Sequence, residues 1–105
     1  MIKSQNTVIW IASIFCIVLG QDRNYNNFQE GLSLERSGKI EEAIIIYKEI
    51  LNNAPDHQPS FFQLKNIYYN RSKNKDGIEV VSKWLANKSS DLQSMLLLSE
   101  FYFRD

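Results

Sequence analysis

Cysteine, histidine and proline are scarce in this chain: one Cys, one His and two Pro among 105 residues. A single Cys forms no intrachain disulfide. One Cys with one His also falls short of a Cys/His zinc site or a framework of paired cysteines. Charge of one sign is lacking too. Twelve Lys and Arg balance twelve Asp and Glu, whereas a nucleic-acid binder needs a basic surplus to displace counterions. Gly20, Gly31, Gly38 and Gly77 are isolated from one another, so no Gly-rich loop is available to cradle a phosphate. No Ser-His-acid set sits on converging loops. No catalytic residue, cofactor or metal site is expected, and the chain reads as a non-enzyme. What remains, 44% hydrophobic and 23% charged, is the composition of a folded domain.

Long apolar runs are scarce as well, and the longest runs from Val8 to Gly20 behind Lys3. Its roughly twelve apolar positions suit the core of a signal peptide and fall short of the roughly 20 that cross a bilayer. Val18 and Gly20 occupy the −3 and −1 positions of a cleavage site, and polar sequence begins at Gln21. Residues 1–20 are therefore expected to send the chain to the periplasm or the exterior, leaving 85 of the 105 residues. The alternative is an uncleaved anchor, with residues 7–19 held in the membrane. Cys16 follows a bulky Phe15 and precedes apolar sequence, which does not fit a lipid-carrying cleavage site. It reads as apolar filler.

Residues 21–105 repeat with a period of 34: Ala43 with Gly77, Ile44 with Ile78, Tyr47 with Val81, Ile50 with Trp84, Leu51 with Leu85, Phe61 with Met95 and Leu64 with Leu98. Leu34, Tyr68 and Tyr102 form a three-member series at the same interval. Within a period the spacing is helical, as in Phe61-Leu64-Tyr68 and Ile78-Val81-Trp84-Leu85. Asn70–Asn74 and Asn52–Asp56 supply turns. Pro59 suits a first helical turn, and Glu41 and Glu42 suit a helix N-terminus, where the dipole favours negative charge. Asp76 with Glu79 and Ser90 with Gln93 have capping-box spacing. The map is five helices, at about 24–36, 39–52, 59–70, 76–87 and 91–104, with no strand pattern. The fold class is all-α, built of antiparallel helix pairs in about two and a half repeats (about 24–57, 58–91 and an incomplete 92–105).

These residues resemble the tetratricopeptide repeat, whose pattern runs aromatic-x2-Leu-small-x2-Tyr, then small-x3-aromatic, then Pro. Gly38, Ala43, Tyr47 and Pro55 match its second half in the first repeat. Phe61, Leu64, Tyr68, Gly77, Val81 and Trp84 match the second repeat, and Met95, Leu98, Ser99 and Tyr102 open a third. Asn27 and Glu30 depart from it where large apolar residues belong, shifting the first helix toward Phe28 and Leu32 as its buried pair. Lys65 replaces a small residue and Ser89 a closing Pro. The resemblance implies a binding scaffold whose concave groove holds a peptide or partner helix. By position, that groove is lined by Phe28, Leu32, Phe62, Asn66, Tyr69, Leu96, Glu100 and Phe103. It is aromatic and lacks the Lys/Arg lining that clamp-type members use for a C-terminal carboxylate. For each apolar groove residue, packing between helices remains the competing role.

Other positions read as ordinary surface. His57, between Asp56 and Gln58, is expected to be a solvated turn residue, and Arg71, Lys73 and Lys75 a solvated loop. Asn70-Arg71-Ser72 and Asn87-Lys88-Ser89 are glycosylation sequons, meaningful in a host that glycosylates exported proteins. The last helix carries Leu92, Met95, Leu96, Leu97, Leu98, Phe101, Tyr102 and Phe103 around its circumference, where an array should end on a polar face. The sequence leaves three explanations open: an array interrupted mid-repeat, a helix that docks on another copy or partner, or apolar residues that close over the end. Three settings for the module also stand open: a free exported adaptor, the recruiting part of a longer exported protein, and a membrane-tethered scaffold. Cleavage predicts a mature product that begins at Gln21, read by N-terminal sequencing of exported material. A membrane-bound product that retains residues 7–19 would establish the anchor instead.

Overall fold

The computed structural model describes residues 23–88 and 90–105. The signal segment, its cleavage site, Cys16 and Ser89 lie outside the described residues. The chain forms α1 over residues 23–36, then α2 (Ile40–Asn53), α3 (Gln58–Asn70), α4 (Asn74–Asn87) and α5 (Leu92–Arg104). Every limit falls within two residues of the expected map. No strand occurs among the described residues. No helix among them is long and apolar enough to cross a membrane.

The sequence period reappears in the backbone hydrogen bonds. At the end of α1, Gly38 N–H donates to Glu35 (3.0 Å) and Lys39 N–H to Leu34 (2.8 Å). At the end of α3, Ser72 N–H donates to Tyr69 (3.2 Å) and Lys73 N–H to Tyr68 (2.9 Å). Both sets are the Schellman arrangement that satisfies the last helical carbonyls, with a left-handed residue after the cap. Gly38 has φ 80° and Ser72 φ 55°. Glycine adopts that conformation freely and serine does not, but the Ser72 hydroxyl accepts a bond from Arg104 at 3.1 Å. The turns after α2 and α4 also match: Ala54 N–H reaches Ile50 as Lys88 reaches Trp84, and His57 reaches Ala54 as Asp91 reaches Lys88.

Helix starts follow the same rule. Glu41 and Glu42 occupy the first turn of α2, and Pro59 the first turn of α3. Neither expected capping box forms. Asp76 lies inside α4, whose cap position is Lys73 without a side-chain bond, and Asp91 rather than Ser90 caps α5. The true caps are His57 and Asp91, one period apart, and each accepts from the N–H of the Ser at its third following position. Those two serines, Ser60 and Ser94, are buried. Their hydroxyls bond the same caps, at 2.8 Å to His57 Nδ1 and 2.7 Å to Asp91 Oδ2.

Each helix from α2 onward packs on the next. One continuous core joins Ala43, Ile44 and Tyr47 of α2, Phe61, Leu64, Ile67 and Tyr68 of α3, Val81 and Trp84 of α4, and Phe101 of α5. Phe61 and Trp84 stack with centroids 4.2 Å apart and planes 1° from parallel. Small residues set the closest approaches. A Cβ on Gly31 would stand 2.6 Å from the Tyr47 ring, and one on Gly77 would overlap the Phe101 ring. The α5 core differs from the expected Met95-Leu98-Tyr102 stripe. Ser94 and Phe101 are buried, Leu97 and Leu98 are partly buried, and Met95 and Tyr102 are 40% and 60% exposed. Ser94, Leu98 and Phe101 keep the orientation of Ser60, Leu64 and Ile67 one period earlier, whereas no described helix lies over Met95 and Tyr102 as α4 lies over Phe61 and Tyr68.

Phe101→Ala is expected to cost about 3–5 kcal/mol, the usual penalty for emptying a buried aromatic site. Gly77→Ala is expected to destabilise as well, because a clash of about 1–3 kcal/mol outweighs a helix-propensity gain of about 0.5–1 kcal/mol. Urea denaturation followed by circular dichroism reads both changes.

Candidate functional site

The expected groove residues fall on three helices, α1, α3 and α5, at positions that recur once per period. On α3, Phe62, Asn66 and Tyr69 lie at i, i+4 and i+7, and on α5 so do Leu96, Glu100 and Phe103, which is one helical face in each case. The two stripes are adjacent, because the Tyr69 hydroxyl donates to Glu100 Oε1 at 2.5 Å. Phe62, Leu96 and Phe103 are 50%, 64% and 91% exposed. Lys65 lies over the Phe62 ring, its Nζ 4.8 Å from the centroid. A long cation on an aromatic face extends the apolar surface while keeping its charge in water.

Two groove residues have other work. Phe28 packs on the buried side of α1, its ring 5.8 Å from that of Tyr47 and 5.7 Å from that of His57. That agrees with Phe28 as a buried residue of a register-shifted α1, where its partner in the core is Leu34 and Leu32 is half-buried. Tyr69 is a strut between α3 and α5. Its ring meets Phe101 edge-on at 5.9 Å and carries the Arg104 guanidinium at 4.2 Å, while its carbonyl accepts from Arg104 at 3.2 Å. The bond to Glu100 holds the Tyr69 phenol above its ordinary pKa. Of the expected groove residues, Phe62, Leu96, Glu100 and Phe103 are exposed, and Asn66 is half-buried.

A concavity lies on residues that the sequence did not single out as a site. A cleft of about 380 Å³ opens between α2 and α4, with Phe61, Leu64, Tyr68 and Trp84 at its base. Lys48 and Lys83 stand on its rim with Asp76 and Glu79. Glu79 is already paired with Lys83 at 3.2 Å, one turn away on α4. The cleft suits an apolar side chain and has no nucleophile-base pair. The period alone does not show it, since its base consists of residues that read as ordinary core.

His57 is the clearest correction to the sequence reading. It is half-buried, not solvated, and it caps α3 through Nδ1 while its ring edge meets Phe28. A cap must accept hydrogen bonds, which only the neutral ring nitrogen does. Desolvation lowers the His57 pKa from its usual value, against a smaller opposing pull from Asp56. The expected basic loop is also less isolated than it reads. Arg71 and Lys73 meet Glu41 at 2.8 and 3.5 Å, holding its carboxyl below the ordinary range, chiefly through the Arg71 bond. All three side chains are solvated, so the cluster aligns two turns and adds little stability.

Among the described residues, no group of three or more His, Cys, Asp and Glu is placed to hold a metal ion. Comparison of the chain with protein-family models, with curated proteins and with solved structures finds no match.

The His57 cap gives stability a pH dependence of known sign. With the folded pKa below the unfolded value of about 6.5, its contribution is present above that value and lost as pH falls through the folded one. His57→Asn keeps a good cap and removes the titration. The melting temperature of the parent is expected to drop more steeply than that of His57→Asn between pH 7.5 and 5, by about 1–3 °C over that interval. Thermal melts at matched ionic strength give the comparison.

Proposed function

We propose that this chain is an exported, non-catalytic protein–protein interaction module of the tetratricopeptide type. Its odd-numbered helices hold a peptide or a partner helix. The observation that carries this reading is the return of the same turns and caps after one sequence period. Identical connections impose the same rotation from one helix pair to the next, which is how a repeat array presents equivalent residues side by side. On that surface Phe62, Leu96 and Phe103 are the large side chains left uncovered. Exposed rings on a rigid helix lose little conformational entropy on binding and are the usual anchors of affinity. The mostly apolar lining, with Glu100 and Lys65 as its charges, favours ligands that bury hydrophobic side chains over those held by a terminal carboxylate. The α2–α4 cleft lies on a different side of α3, so it does not compete for the same ligand.

Panning a displayed peptide library on the chain tests the groove. Phe62→Ala is expected to weaken retention of the selected peptides by about 10- to 30-fold, the range for losing an interface anchor. Ile45→Ala, which trims an exposed residue of α2, is expected to leave retention unchanged. Equal retention by the parent and Phe62→Ala would remove the groove from consideration.

A further inference from the structure

The outward side of α5 bears Leu92, Met95, Leu96, Tyr102 and Phe103, exposed by 67%, 40%, 64%, 60% and 91%. At about 200 Å² for a large side chain, that is an apolar surface on the order of 600 Å². Such an area reaches the top of the range for the largest patch on an ordinary monomer, and approaches the roughly 800 Å² that each partner buries in a stable interface.

The repeat indicates the shape that covers this surface. Met95, Leu98 and Tyr102 stand one period after Phe61, Leu64 and Tyr68. Those three are 4%, 1% and 4% exposed, closed over by the antiparallel α4 with Trp84 stacked on Phe61. The corresponding face of α5 therefore takes an antiparallel helix.

The α5 stripe is itself built to be that helix. Counted from Ser99, its exposed apolar residues fall at −7 (Leu92), −4 (Met95), −3 (Leu96), +3 (Tyr102) and +4 (Phe103). Four of the five mirror one another about Ser99. A second α5 crossing antiparallel at Ser99 brings Leu96 against Tyr102 of the other copy, and Met95 against Phe103. Ser99 is small enough for close approach, and its hydroxyl already donates to the Met95 carbonyl at 3.2 Å. Burying the crossing point thus strands no polar group. Among the described residues, the outward face of α1 offers no matching surface. Asn26, Glu30 and Ser33, two periods before Ser94, Leu98 and Phe101, are exposed and polar. Head-to-tail stacking would set an apolar face against a polar one, so self-association closes at two copies.

We propose that two copies of this chain pair through α5 as a closed, twofold-symmetric dimer crossing at Ser99. The dimer shares Leu96 and Phe103 with the proposed groove, so pairing and ligand binding compete for those two side chains, while Phe62 on α3 stays exposed.

Sedimentation velocity of the full chain from about 1 to about 100 μM tests the pairing, since a dimer responds to concentration by mass action. The expected result is a dimer for the parent and for Phe62→Ala. Ser99→Arg, at an exposed position, is expected to be a monomer with unchanged helical circular dichroism. In a Cys16→Ser background, Ser99→Cys is expected to form a disulfide-linked dimer on mild oxidation, because the symmetry axis brings the two sulfurs within bonding reach. A parent that stays monomeric throughout this range would overturn the proposal, as would a Ser99→Arg dimer. A parent dimer whose Ser99→Cys form does not cross-link would overturn the crossing point.

Discussion

The Phe101 ring is fully buried in the space that Gly77 leaves by having no side chain. The same ring meets Tyr69 edge-on, so a single side chain joins α3, α4 and α5. Rings and backbones are hard objects, and packing at interior density admits few alternative positions. Once Phe101 is seated, the rotation of α5 about its own axis is set. Ser94, Leu97 and Leu98 turn toward the core, while Leu92, Met95, Leu96, Tyr102 and Phe103 turn away from it. That seating fixes which side of α5 meets the core, and the side left outward is apolar as well.

Complementary sizes carry the same logic through the chain. Gly31 yields to Tyr47, as Gly77 yields to Phe101. Lys65 and Val81 stand one period after Gly31 and Tyr47, so the larger residue has moved to the other helix. Likewise Ala43 and Ile67, one period before Gly77 and Phe101, form a more even pair. A repeat with such exchanges keeps its helix spacing while its side chains change.

The outward faces of α1 and α5 are chemically unlike. The face of α1 presents Asn26, Glu30 and Ser33 to solvent, and that of α5 presents an apolar stripe. Water tolerates the first indefinitely and disfavours the second by the usual apolar coefficient of about 25 cal/mol per Å². A surface of that kind is a common site of association. The mirrored spacing about Ser99 makes a second α5 a suitable cover.

The sequence by itself determined the helices, their lengths and their repeat, because these rest on interactions between residues a few positions apart. Apolar spacing at 3.6 residues per turn, Pro59 in a first turn and the Gly38 left-handed cap are all local. Even the His57 cap had a local signal: Asp91, a strong capping residue, stands one period later with the same Ser at its third following position. Only the tertiary structure decided which residues of α5 are buried, since both of its sides are apolar and periodicity cannot choose between them. It also separated Phe28, packed on Tyr47, and Tyr69, tied to Glu100 and Arg104, from Phe62, which is half exposed. Those outcomes depend on which ring finds which notch, and a notch exists only after two helices have come together.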